Sequence, residues 1–414
     1  MSELYELPDG WEWKRLEDII RIGCERGFKP TIVDGKVPFI GMTNIDKYTG
    51  RYTKYILEDN DKVSKGKTKF QKNAILLGKI TPCTQNNKTT IIPNDIDGGY
   101  ATTEVYALHC LEKITPLYFN YYIRSKQVNE FLVNSMVGAT GRQRVPSEVV
   151  KNLNIPLPPL QEQKRIVSKL DTLFEKIDKA IALHQQNMDE ADVFMGSVLN
   201  DVFGELKEKY ESTKMKDVVK KEKTSIKRGP FGSALKKSFF VESGYLIYEQ
   251  YHALNNDFSM ERYFIDEEKF NELKGFEVKS GDIIISCSGV YLGKLAIIPE
   301  NHTKGIINQA LLKLTLDKEI IINKLFVYFW NNLINNGFFN KVKKGAAIPN
   351  MPPVKELKEI DIPVPPLQLQ QKTVAYLDEI SQKIKKIKSV QKEKMESLVA
   401  LKASILDQAF RGEL

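Results

Sequence analysis

The chain has 414 residues, too many for one hydrophobic core, and its 42% apolar and 28% charged content is that of a globular protein of two or three domains. The longest apolar runs, such as Ile283-Ile284-Ile285, are strand-sized, which excludes a helical membrane span. Net charge is +8, too modest for a protein that works by bulk charge alone. Cys24, Cys83, Cys110 and Cys287 are scattered, with no CxxC pair and no histidine cluster, so neither a disulfide framework nor a zinc site is expected. Met1-Ser2-Glu3-Leu4 lacks the basic and apolar regions of a signal peptide, and a cytoplasmic location is expected.

In chain order, residues 1–154 read as an α+β region. Strand-like runs at Ala74–Leu77 and Thr89–Ile92 are bounded by turn residues, and an aromatic helical segment follows at Pro116–Tyr122. The string Ile155-Pro156-Leu157-Pro158-Pro159-Leu160-Gln161 comes next. Proline lacks an amide donor and fixes φ, so the string is expected to be an extended linker rather than helix or central strand. Behind it, Ile166, Leu170, Leu173, Ile177, Ala180, Ala191, Met195, Val198 and Val202 recur at steps of three and four, the seam of a coiled coil. Residues 207–361 repeat the α+β plan, with strands at Ile283–Ser286 and Leu295–Ile298 and an aromatic helix around Lys324–Trp330. The aromatic residues lie at core spacing and are read as packing. Ile362-Pro363-Val364-Pro365-Pro366-Leu367-Gln368 then returns the linker, followed by a second seam at Leu377, Ile380, Ile384, Ile387, Met395, Leu398, Ile405 and Ala409.

The chain is therefore a sequence written twice at a displacement of 207 residues; from Ile155 to Ile177, 12 of 23 positions are identical in the second copy. Each seam carries one four-four step, at His184 to Met188 and Gln391 to Met395, where the supercoil should unwind locally. A helix of about 43 residues, roughly 65 Å long, with one apolar stripe needs a partner. The other copy is the candidate, in an antiparallel arrangement, since a whole α+β region lies between them; the sequence alone leaves parallel pairing open. Charge agrees with pairing in cis: residues 155–206 hold 5 basic and 9 acidic side chains, and 362–414 hold 9 and 6. The α+β regions are mildly basic, with 22 basic and 18 acidic residues in 1–154 and 25 and 20 in 207–361. The expected organisation is a first α+β region at 1–154, linker and long helix at 155–206, a second α+β region at 207–361, and linker and helix at 362–414, related by a pseudo-twofold repeat.

Catalytic motifs fail on inspection. Gly66-Lys67-Thr68 lacks the glycine of a phosphate loop, because Asp61 stands there. Asn350-Met351-Pro352-Pro353 lacks the proline after Asn and the aromatic residue of an amino-methyltransferase motif, and Glu267-Glu268-Lys269 reads as a solvated charge run. Four histidines form no triad-like grouping.

The loops offer more to a nucleic acid. Between the first strand pair, Lys79, Thr81, Gln85, Asn86 and Lys88 interleave cations, a hydroxyl and amides; between the second, Tyr291 and Lys294 do so, with Lys294 at the place of Lys88. Amides can pair with adenine and lysine can neutralise phosphate or bond guanine; a polar hairpin turn would carry similar residues. A second group comprises Arg142, Gln143 and Arg144 in a glycine-rich stretch, aligned with Lys343, Lys344 and Asn350. Lys227, Arg228, Ser233 and Lys236 form a third basic cluster.

Three features together carry a family resemblance. They are Leu7-Pro8-Asp9-Gly10-Trp11 with Trp13 and Leu16, the Ile-Pro-x-Pro-Pro-Leu-x-x-Gln string ahead of both helices, and Gly345-Ala346-Ala347-Ile348-Pro349-Asn350. Over its whole length the chain resembles the specificity (S) subunit of type I restriction–modification systems. The resemblance implies two target recognition domains that read the halves of an asymmetric bipartite site in double-stranded DNA, separated by helices acting as a ruler. It implies two adenine-N6 methyltransferase (M) subunits that bind S-adenosylmethionine, and motor–nuclease (R) subunits that use ATP and Mg²⁺. No cofactor, metal or catalytic residue is expected on this chain. The competing readings are a stand-alone DNA methyltransferase or nuclease, and an assembly protein whose recognition loops have decayed.

Overall fold

The computed structural model describes residues 5–47, 50, 52–92, 96–289, 291–339 and 350–414. The chain forms two units, Met1–Gln185 with Lys392–Leu414, and Gln186–Gln391. In the first unit a hairpin sheet runs in the order Ile20–Ile22, Val105–Cys110, Ile75–Gly78, Thr89–Ile91, antiparallel throughout. An outer sheet has the order Ile56–Asp59, Lys36–Ile40, Gly98–Ala101, Thr68–Gln71, its two middle strands parallel. The second unit repeats the hairpin sheet in the order Ile226–Arg228, Leu311–Leu314, Ile283–Ser286, Leu295–Ile297. Its outer sheet, Phe240–Val241, Phe264–Ile265, Tyr245–Tyr248, Gly305–Ile307 with the last pair parallel, keeps three strands of the first but adds Phe240–Val241 at one edge and, among the described residues, has no strand in the place of Thr68–Gln71 at the other. The internal repeat thus extends from the linkers into sheet topology.

The unbroken apolar strand runs follow from this layering. Ile75 and Leu77 pack toward the helices while Leu76 packs with Ile40 and Phe70 between the two sheets. In the second unit Ile283 and Ile285 face the helices, and Ile284 meets Leu246 and Tyr248. Successive side chains point to opposite faces, so a strand covered on both must be apolar at every position. The helix Pro116–Ile123, with proline in its first turn, buries Tyr118, Phe119 and Tyr122. The helix Asn323–Asn335 buries Phe326, Phe329 and Trp330, and Trp330 Nε1 donates to the Gly293 carbonyl at 2.8 Å. These aromatic side chains are core, as their spacing implies.

Two long helices, Leu160–Lys209 and Leu367–Arg411, each contribute a part to both units. In the first unit Arg165 Nη2 donates to the Leu414 carbonyl at 2.7 Å and Lys402 Nζ lies 2.8 Å from Asp178 Oδ1. Number rises along one helix as it falls along the other, so the pairing is antiparallel. In the second unit Lys388 Nζ reaches Asp192 at 2.6 Å, and Val198, Leu199 and Phe203 share a core with Val374 and Leu377. Both ion pairs join an acid of the first helix to a lysine of the second, the sense of the charge difference between the copies.

Gln163 and Gln370, 207 residues apart, are fully buried and make the same three hydrogen bonds. Gln163 accepts from Thr115 N (2.8 Å) and donates to the carbonyls of Lys113 (3.0 Å) and Pro158 (2.9 Å). Gln370 accepts from Ile322 N (2.9 Å) and donates to Ile320 (2.8 Å) and Pro365 (2.8 Å). Each ties a linker and the start of a long helix to the turn that launches an aromatic helix.

Two sequence expectations need correction. The proline strings are not linkers throughout: Asn154–Leu157 pairs antiparallel with Glu12–Arg15, and Asp361–Pro363 with Ser212–Lys214. Both are two-stranded sheets, in which each strand is an edge and a proline needs no ladder donor. The second helical seam does not run through Ile387, which is 46% exposed. It passes through Ile384 and the partly buried Lys388, whose aliphatic stem takes the seam position while its ammonium reaches Asp192. The four-four step of that helix accordingly falls at Ile380–Ile384–Lys388 rather than at Gln391. No helix among the described residues is long and apolar enough to cross a membrane.

Candidate nucleic-acid interface

In the first unit the hairpin of Ile75–Gly78 and Thr89–Ile91 is closed by Gly78 N donating to the Lys88 carbonyl at 2.9 Å. A Cβ on residue 78 would lie 2.8 Å from that carbonyl oxygen, so only glycine permits the approach. The loop folds on itself: Thr84 Oγ1 donates to Gly78 O (3.0 Å) and Asn86 Nδ2 to Pro82 O (3.0 Å). Lys88 Nζ is spent on the Met42 carbonyl at 2.6 Å. Asn86 and Lys88 therefore brace the loop, whereas Gln85 is exposed at its tip.

The segment 137–145 then joins this loop. Val137 and Arg144 bond each other at 2.9 Å in both directions, closing a turn around Gly138 and Gly141, whose φ values are 121° and 80°. Ile80 bridges Arg144; Thr81 N donates to Gln143 O at 3.0 Å, and Val145 N to Lys79 O at 2.8 Å. Lys79, Thr81, Gln143 and Arg144 thereby form one ridge, with Arg142 exposed beside it. Lys79 Nζ lies 4.5 Å from the Tyr106 ring centroid, a cation–π contact. Burial and, secondarily, the Arg144 charge lower its pKa. Among the described residues no carboxylate forms an ion pair with Lys79, Arg142 or Arg144. A ridge of uncompensated cations is electrostatically ready for a polyanion.

The second unit builds the same junction from other side chains. Ser286 N donates to Lys294 O at 2.8 Å, so Lys294 occupies the place of Lys88; its side chain is exposed, as is Tyr291. Ser288 bridges Asn350, and Met351 N donates to Cys287 O at 2.8 Å, the counterpart of the Ile80–Arg144 bridge. Arg228, at the end of its strand, donates from Nη2 to Asn350 Oδ1 at 2.7 Å, and its guanidinium carbon lies 5.1 Å from the exposed Phe231 ring. Lys227 Nζ sits 4.9 Å from the Phe276 ring. Ser233 and Lys236 are exposed, and among the described residues no hydrogen bond or ion pair joins them to the hairpin loop. Lys343 and Lys344 lie outside the described residues.

Two positioning residues escaped the sequence reading. Gln250 Nε2 donates at 2.6 Å to both Ser286 Oγ and Ser288 O, fixing the second hairpin loop. Arg124 caps the helix Pro116–Ile123 and sends Nη1 to Thr89 O at 2.8 Å, while Asn87 Nδ2 returns a bond to the Arg124 carbonyl at 2.9 Å. A lone arginine ending an aromatic helix was the available signal for the second; Gln250 gave none.

Comparison with known proteins agrees with this architecture. The sequence model of a family described as the type I restriction modification DNA specificity domain matches residues 8–187 and 207–396. The type I restriction enzyme EcoAI specificity subunit of Escherichia coli is 34% identical over 193 residues, covering 45% of this chain and 31% of that relative. The chain thus spans about a third of that relative's length. The type I restriction enzyme MjaVIII specificity subunit of Methanocaldococcus jannaschii is 24% identical over 442 residues, covering 99% of this chain and 94% of its own. A chain from a solved structure of the type I R-M system shares the fold with a TM-score of 0.74 at 22% identity, over 99% of this chain and 100% of that one. With two matched copies and the hairpin sheet repeated in both units, the chain belongs to the type I restriction modification DNA specificity domain family and carries that domain twice.

Proposed function

We propose that this chain is the non-catalytic DNA-recognition subunit of a type I restriction–modification complex, acting in the cytoplasm. Residues 1–154 and 207–361 would each read one half of an asymmetric bipartite target, and the helical segments 155–206 and 362–414 would set the spacing and dock two methyltransferase subunits. S-adenosylmethionine, ATP and Mg²⁺ would be bound by the methyltransferase and motor–nuclease partners. The observation that carries this reading is the repeated junction: in both units a strand-hairpin loop is stapled to the segment that precedes the proline string. The same backbone positions hold Lys79 and Arg144 in one unit, and Cys287 and Asn350 in the other. A common frame with different side chains suits two readers of different sequences.

The test removes seven residues from the first long helix alone and maps methylated adenines in cells that express the chain with its methyltransferase subunit. Modification at the native spacing should be lost; its retention would sink the ruler. Incubating the purified chain with S-adenosylmethionine and DNA should give no methyl transfer, and transfer without a partner would refute the non-catalytic assignment.

A further inference from the structure

We infer that Arg228 reads a guanine in the half-site addressed by the second unit, with Asn350 as its positioning residue; this rests on the reading above. Arg228 is held from two sides and has one buried donor left without a protein partner. Nη2 is bonded to Asn350 Oδ1, the guanidinium packs on Phe231, and Nε is buried without a protein partner. Asn350 is itself fixed, since Oδ1 also accepts from Met351 N at 3.0 Å and its backbone bridges Ser288. Among the described residues no carboxylate forms an ion pair with Arg228.

What remains are three N–H donors on Nη1 and Nη2 of a planar, positionally fixed fork with a full positive charge. A planar pair of such donors matches the N7 and O6 acceptors of guanine in the major groove. A phosphate asks only for nearby charge and is served by exposed lysines such as Lys236 and Lys294. Clamping a guanidinium removes rotamer freedom in advance, which matters where donor direction decides the partner.

The counterpart positions in the first unit separate the two readers. Strand register aligns Ile226 with Ile22, which puts Cys24 where the second unit has Arg228. The paired bridges put Arg144 where the second unit has Asn350. One guanidinium enters from the sheet edge and the other from the loop ahead of the linker, so the two units present their cations from different backbone positions.

The test uses the full chain with its methyltransferase subunit, mapping the methylated target and measuring binding to oligonucleotides that vary one base pair at a time. Arg228→Gln should lower discrimination for guanine at one position by about 5- to 150-fold, with every other position unchanged. Asn350→Ala should weaken discrimination at that same position, and Lys236→Ala should weaken all sequences alike and reduce the salt dependence. Should the glutamine variant fail to fold, Arg228→Met, which keeps the stem but has no donor, takes its place: loss of guanine preference supports the inference and its retention overturns it. Uniform weakening across all positions on Arg228 substitution, or a wild-type target without a G·C pair, also overturns it. A wild-type complex that methylates without sequence preference would instead refute the recognition function itself.

Discussion

Replacing Gln163 by alanine should open the first unit locally around the launch of its aromatic helix. The side chain is fully buried and makes three hydrogen bonds, accepting from Thr115 N and donating to the carbonyls of Lys113 and Pro158. Truncation leaves one buried N–H and two carbonyls without these partners. An orphaned buried donor costs about 1–3 kcal/mol, carbonyls with a second lone pair less, and the vacated volume adds to both, for about 3–5 kcal/mol in all. Gln163→Glu is the informative control. It keeps the shape but replaces the amide donor by an oxygen facing two carbonyls in a dry site, so it should be at least as damaging despite being isosteric. Hydrogen exchange of the full chain, followed by mass spectrometry, reads the effect where it occurs. Protection of amides in 113–123 should fall a hundredfold or more, since each tenfold is about 1.4 kcal/mol. The second unit should be unmoved, and Gln370→Ala should do the same around Ile320–Ile322. Loss of protection below tenfold in both alanine variants would refute the view that each glutamine ties its linker to the aromatic helix of its own unit.

Two further outcomes are expected. His109 is buried in the hairpin sheet, and burial together with the Arg21 charge lowers its pKa from 6.5 to about 4. The unfolded chain therefore binds the extra proton first, so stability present above pH 6.5 should be lost as pH falls toward about 4; thermal melts should show that loss shrinking in His109→Gln, and an unchanged pH profile would count against it. Arg124→Met should release the first hairpin loop by removing its bond to Thr89 O, costing about 2–4 kcal/mol. Gly50→Ala, whose Cβ would overlap the same guanidinium at a φ of +66°, should act likewise, both read as lost protection of residues 79–88.

The sequence by itself determined the duplication, the presence of a long helix behind each proline string, and the strands of the two hairpins; the first helix is longer than its seam implied, 50 residues against about 43. All of these are local: apolar periodicity of two or 3.6 and proline's missing donor act within one element, and a displacement of 207 residues needs no coordinates to be seen. What it could not determine is which loop side chains are free. Asn86 and Lys88 look like Gln85 in the sequence, yet the first two are spent on the carbonyls of Pro82 and Met42. Ile387 looks like a seam residue, but the helix turns it outward because antiparallel pairing puts Lys388 opposite Asp192. Likewise Arg228 and Asn350 stand 122 residues apart in the chain and meet at 2.7 Å. Hydrogen-bond donors are finite, and only the tertiary structure decides which remain after the protein has satisfied its own backbone.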